Sequence, residues 1–270
     1  MPELPEMETY RRLLNDRIGG RMIDGIVIGR EKSLNMSTER FTGLVLHSTV
    51  QTIERRAKHL LFRLSNGYTM LLHLMLDGWM YLGSEADKPD RTVQVELRFG
   101  AERLYFIGLR LGFLHLLDNT ELAERLEKLG PEPLAADFTA DRLGERIASK
   151  RSAIKLALVD QSVIAGVGNF YSDEICFAAS IGPMVGCGDL SGAETNRLYT
   201  SMQAVLREAT RFGGYMENPL FAGDRLTGGF DDQCRVYDRE GEPCVRCGSP
   251  IVRGELSARK MFYCANCQRT

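Results

Sequence analysis

The chain has 270 residues, enough for two domains that each bury a core. Charged residues make up 26% and hydrophobic ones 44%, the balance of a soluble globular protein, and no apolar run has the length of a membrane span. A net charge of −2 excludes a uniformly basic nucleic-acid binder but not a groove with local positive charge.

The chain opens Met1-Pro2-Glu3-Leu4-Pro5-Glu6-Met7-Glu8-Thr9, an acidic start unlike a signal peptide, which predicts a cytoplasmic protein. Pro5 suits the first turn of a helix, and Glu6 and Glu8 complement its positive end. Pro2 has no such reading. Once the initiator Met is removed it carries a secondary amine, and an α-amino group titrates at about 7.7–8.0. A large share is then unprotonated and nucleophilic, with Glu3 placed as an acid–base partner.

Periodicity predicts a helix over Thr9 to Ile18 with Leu13, Leu14 and Ile18 on one face. A strand-rich region follows from Met22 to about Leu117. Its clearest strand alternates Val93, Val95, Leu97 and Phe99 inward against Gln94, Glu96 and Arg98 outward. Ser65-Asn66-Gly67 marks a hairpin, and the half reads as a β-sandwich flanked by helices. Asn119 is a plausible cap for a helix over Glu121 to Leu129, closed by Gly130 and Pro131.

Stiff Pro131-Glu132-Pro133 places a domain boundary, and the second half is helical. Thr139 caps one helix, and Ala153 to Val159 forms another. Gly166-Val167-Gly168 turns into a helix starting near Asn169, and Leu198, Met202, Val205, Leu206 and Ala209 stripe a long helix ending at Gly213-Gly214. Between Tyr215 and Asp232 the periodicity lapses into a loop. Local positive charge gathers at Arg55, Arg56 and Lys58, and again at Lys150, Arg151 and Lys155.

The tail speaks most plainly. Cys244-x2-Cys247 and Cys264-x2-Cys267 have the spacing of a four-thiolate zinc site, closed to catalysis because all four positions are protein ligands. Two disulfides are the competing reading, disfavoured in a reducing cytoplasm. The expected division is 1–130, 131–232 and a zinc finger over 233–270, in an α+β fold with an N-terminal two-layer β-sandwich.

Met1-Pro2-Glu3, Arg55-Arg56-Ala57-Lys58-His59-Leu60-Leu61, Leu129-Gly130-Pro131-Glu132-Pro133-Leu134, Gly166-Val167-Gly168-Asn169-Phe170-Tyr171 and the Cys-rich tail occur in that order. Together they resemble the formamidopyrimidine-DNA glycosylase / endonuclease VIII family over the whole chain. The resemblance implies a base-excision repair enzyme, a bifunctional glycosylase and abasic-site lyase acting as a monomer on duplex DNA with a damaged base or abasic site. The flipped nucleotide would be attacked at C1′ by Pro2, with Glu3 shuttling protons and Lys58 and Arg259 assisting elimination. His73, Lys150, Asn169 and Tyr237 match DNA-contact positions, and Glu174 matches a position that could simply brace the turn. By residue type alone, His73 is more often a satisfied core histidine, Gly166-Val167-Gly168 a mere turn, and Arg259 a solvated side chain.

The lesion-reading positions depart from the family. An ungapped match of Tyr105 through Gly112 puts Leu109 where the family has an Arg that reads the base opposite the lesion, and Leu111 where it has a Phe. Leu76 replaces a Met and Ile107 an Asp. If Tyr105 to Gly112 is strand, Arg110 faces away from Leu109. Leu76, Leu109 and Leu111 would then fill the gap in the duplex without reading it, and activity should be nearly indifferent to the opposite base. Two other classes compete with an enzyme. A non-catalytic binder of damaged DNA needs neither Pro2 nor Glu3, and a zinc-ribbon transcription factor leaves the N-terminus unexplained.

Overall fold

The computed structural model describes residues 1–268. Its contacts group into two compact units, one of Met1–Glu127 with Phe212–Gly229, the other of Lys128–Arg211 with the chain from Phe230 onward.

In the first unit, helix α1 (Leu4–Ile18) starts five residues before the apolar periodicity does. Pro5 fits its first turn, and Glu3 and Glu6 close a capping box, the Glu3 N–H donating to the Glu6 carboxylate at 2.7 Å. Met7, Tyr10, Leu14 and Ile18 are buried in the core at helical spacing.

Eight strands form two antiparallel sheets. One has the order β1 (Gly25–Ile28), β6 (Val93–Phe99), β7 (Glu102–Ile107), β5 (Trp79–Gly83); the other β2 (Val50–Arg56), β3 (His59–Leu64), β4 (Thr69–His73), β8 (Phe113–Leu117). Leu60, Phe62 and Leu64 of β3 join Val95, Leu97 and Phe99 of β6 in one core, as the two-residue period requires. Leu61 and Leu71 point to the other side of their sheet, where they pack with Leu117 and with Leu122 of α3 (Asn119–Leu126). The expected polar face of β6 is not solvated. Gln94 and Glu96 are buried, Glu96 against Arg98 at 2.8 Å and Arg103 at 3.6 Å.

Helix α3 is capped by Asp118 rather than Asn119, through a box with Glu121, and ends at Leu126. A larger difference concerns residues 212–229, expected with the helices but packed on the N-terminal unit. Leu82 N–H donates to the Leu220 carbonyl at 2.6 Å, and the Arg17 guanidinium lies 3.4 Å from the Phe221 ring centre. Single side chains and backbone bonds, not an apolar stripe, hold this segment, so no periodicity announces where it docks.

The second unit contains α4 (Ala140–Ala148), α5 (Ile154–Val159), α6 (Asn169–Ala178), α7 (Gly192–Arg211) and a hairpin of β9 (Val252–Leu256) and β10 (Arg259–Tyr263). The apolar stripe of α7 is buried at the five positions its period predicts. Lys155, expected in a basic surface cluster, is instead fully buried. Its ammonium bonds Asp173 at 2.5 Å, the Ser172 hydroxyl at 3.1 Å and the Asn169 carbonyl at 3.2 Å. The other Asp173 oxygen accepts from Phe262 N–H at 3.0 Å, so one buried ion pair ties α5, α6 and β10 together.

Candidate functional site

The N-terminal unit assembles a buried group of polar side chains at the start of α1. Pro2 and Glu3 precede the first helical turn and are both buried. Glu6 bridges onward, its Oε1 accepting from Tyr215 N–H at 2.9 Å, while the Tyr215 hydroxyl donates to the Met1 carbonyl at 3.2 Å. Gly214 makes this approach possible: at φ 78°, a Cβ there would lie 2.2 Å from Glu6 Oε1. Neither Glu6 nor Tyr215 stood out in the sequence as a site residue. The only signal available was Gly213-Gly214.

Lys58 was expected on a strand. It sits instead in the two-residue turn joining β2 and β3, after Ala57 at φ 54°, and its side chain is only 5% exposed. Arg55, expected in the same patch, is occupied by Glu8 at 3.1 Å and the Ala57 carbonyl at 3.0 Å. His73 stacks on Phe113 with ring centres 5.7 Å apart and lies 4.5 Å from the His59 ring. Burial, then the Lys58 charge, pushes its imidazole down to about 4, so it is neutral at pH 7 and can offer a hydrogen bond but no charge.

In the second unit, Asn169 opens α6 behind Gly168. Its Nδ2 donates to the Lys260 carbonyl at 3.0 Å and lies 3.4 Å from the Tyr237 hydroxyl, whereas its buried Oδ1 has no partner. The amide expected to grip a phosphate is thus engaged with the β9–β10 hairpin. Tyr237 packs between Phe170 and Phe262, at 4.8 and 5.0 Å. Glu174 accepts the N–H groups of Arg235, Val236 and Tyr237 within 3.1 Å, a bracing role for the segment that carries Tyr237. Arg259 is exposed just past the hairpin tip, where Ser257 and Ala258 hold φ of 50° and 59°. Lys150 is paired with Asp160 at 3.2 Å.

The four tail cysteines converge, their sulfurs all within 4.8 Å of one another and no disulfide among them. Cys244 and Cys267 are 3.8 Å apart, Cys247 and Cys264 3.5 Å. A tetrahedron with Zn–S bonds of about 2.3 Å has edges of about 3.8 Å, so the donor set fits zinc in size and chemistry.

Three family models match the chain in succession: formamidopyrimidine-DNA glycosylase N-terminal domain over residues 1–113, the H2TH domain of the same enzyme over 129–218, and the zinc finger found in FPG and IleRS over 241–270. The formamidopyrimidine-DNA glycosylase of Desulfitobacterium hafniense is 36% identical over 272 residues, covering 99% of this chain and 100% of that one. The chain belongs to the formamidopyrimidine-DNA glycosylase family. Two solved complexes of the Lactococcus lactis enzyme, a variant with Fapy-dG DNA and one with abasic-site DNA, each superpose with a TM-score of 0.92 at 29% identity. They cover 100% and 99% of this chain and the whole of theirs.

The chain is therefore a DNA glycosylase of base excision repair, with one structural zinc held by Cys244, Cys247, Cys264 and Cys267. Among the described residues, no helix is long and apolar enough to cross a membrane.

The three leucines expected as an apolar wedge differ in exposure. Leu76 and Leu111 are 54% and 62% exposed, whereas Leu109 is fully buried in the sandwich core. Residues 108–112 form a turn between β7 and β8 instead of continuing a strand, so strand alternation does not govern them. Gly108 holds φ 72° at the start of this turn, and Arg110 is exposed beside Leu111.

Proposed function

We propose that the protein is a bifunctional glycosylase and lyase acting on duplex DNA with an oxidised base or an abasic site, as a monomer associated with the nucleoid. The supporting observation is the buried group around Pro2. With Met1 removed, the Pro2 amine would lie just before the first turn of α1, next to buried Glu3 in the chain. Attack of that nitrogen on C1′ breaks the glycosidic bond, the base leaves with a proton, and an iminium joins Pro2 to the opened sugar. Glu3 protonates the ring oxygen and then relays protons. Loss of the C2′ proton expels the 3′ phosphate, a second elimination expels the 5′ phosphate, and water releases Pro2.

Lys58, Arg259 and the α6 N-terminus at Asn169 hold the flanking phosphates through these steps, with Lys150, Tyr237 and neutral His73 contributing hydrogen bonds. The test is a panel of single-lesion duplexes, abasic site included, whose cleaved ends are analysed. Phosphate at both ends of a one-nucleotide gap is expected. Intact abasic DNA would overturn the lyase half of the reading.

A further inference from the structure

A cavity of about 350 Å³ opens in the N-terminal unit beside two turns, residues 74–78 after β4 and 108–112 after β7. The turns are locked together, since a Cβ on Gly108 would lie 2.0 Å from the Asp77 carbonyl oxygen. The space is therefore preformed, and it has the size that small ligands fill.

Its lining is more than a gap in packing. Gln94, on β6, is only 3% exposed yet lines the cavity. Its Oε1 accepts from the Leu109 N–H at 3.1 Å, which fixes the orientation of the amide. The Nε2 hydrogens are left to face the cavity, and among the described residues no acceptor meets them. A buried donor that the protein leaves unmet calls for an acceptor from outside. Arg91 and Arg110 line the same space, both exposed, and among the described residues neither guanidinium is paired with a carboxylate. Leu76, Ile107 and Leu111 supply apolar wall, and Asp77 is the one carboxylate of the lining.

We propose that this cavity binds a free ribonucleoside 5′-monophosphate. The two guanidinium forks match the oxygens of one phosphate. A nucleobase has flat faces that pack on leucines or stack on a guanidinium plane, and its carbonyls and ring nitrogens accept from Gln94 Nε2. Asp77 accepts from the ribose hydroxyls, the role an acidic side chain plays in dinucleotide sites. Charge limits the tail to one phosphate. Two guanidinia less one carboxylate leave a single positive charge, and further phosphates would meet Asp77 with no new cation. Bare phosphate, in turn, leaves the apolar walls and Gln94 unused. The inference does not rest on the glycosylase reading, because Pro2, Glu3 and Lys58 lie outside this lining.

The experiment titrates the zinc-loaded, DNA-free protein calorimetrically with AMP, GMP, adenosine and inorganic phosphate. At least one nucleotide should bind one to one, with a dissociation constant of about 1 mM or tighter. Adenosine and inorganic phosphate should each bind at least about tenfold more weakly. Gln94→Glu keeps an acceptor for the Leu109 N–H but turns a carboxylate oxygen on the ligand, and Arg91→Ala removes one of the two guanidinia. Each should weaken nucleotide binding by about tenfold. Arg91 is exposed, so its variant carries the test even if the buried Gln94 variant fails to fold. Absence of nucleotide binding overturns the proposal. Binding unchanged in Arg91→Ala also overturns it, since the nucleotide then sits elsewhere on the chain. Inorganic phosphate held as tightly as the nucleotide does the same, because it marks a site for any anion.

Discussion

The hydroxyl of Tyr215 lies 3.2 Å from the carbonyl oxygen of Met1, although 214 positions separate them in sequence. That oxygen belongs to the peptide whose nitrogen is Pro2's own. That bond leaves with Met1, whereas Glu6 keeps the segment 212–229 on the start of α1 after its removal, tied to Glu3 on one side and to the Tyr215 N–H on the other.

Gly214→Ala should break this closure. The new methyl has no room beside Glu6 and the backbone sits at φ 78°, where an alanine is strained by roughly 1–2 kcal/mol before any clash is counted. A fall in thermal midpoint together with slower cleavage of abasic DNA is expected. A variant with the wild-type midpoint and rate would mean that 212–229 does not organise the site.

Removal of zinc should act on the second unit first. One zinc per chain is expected, and Cys264→Ser should lose DNA binding while the sandwich keeps its β-sheet signal, because the four ligands clamp the hairpin that carries Arg259 and meets Asn169. Metal-free protein that binds abasic DNA as tightly as the zinc form would contradict this.

Acid should weaken the fold through the paired histidines. Burial, helped by the neighbouring His73, pushes the His59 imidazole down to about 3, and His73 is pushed to about 4. An unfolded chain takes up these protons near pH 6.5, where the folded one refuses them. Their contribution is thus complete above pH 6.5 and is lost as pH falls towards 4. Denaturant titrations of His59→Asn/His73→Asn should show a shallower fall between those limits, by up to one proton per histidine. Slopes equal to wild type would place the imidazoles in solvent.

Much of this was legible in the chain, and what was not has a physical reason. The four cysteines, the α7 stripe and the turn into Asn169 are local patterns whose spacing survives folding unchanged. Lys155 looked like a surface cation because nothing near it in sequence reveals that Asp173, eighteen positions on, is buried with it. Gln94 and Glu96 were read as solvated because alternation reports a face and not what covers it. Leu109 is buried and Arg110 exposed, the reverse of what strand alternation predicts, because Gly108 at positive φ opens a turn there. Tyr215 lay in a stretch without periodicity, and only its partners give it meaning.

The central claim is that Pro2 is the nucleophile, and borohydride trapping on abasic DNA measures it most directly. Mass analysis of the reduced complex should place the adduct on a terminal peptide beginning at Pro2, and Pro2→Gly should reduce trapping sharply. A retained Met1 in active protein, or undiminished trapping through Lys58 in the Pro2→Gly variant, would contradict the account.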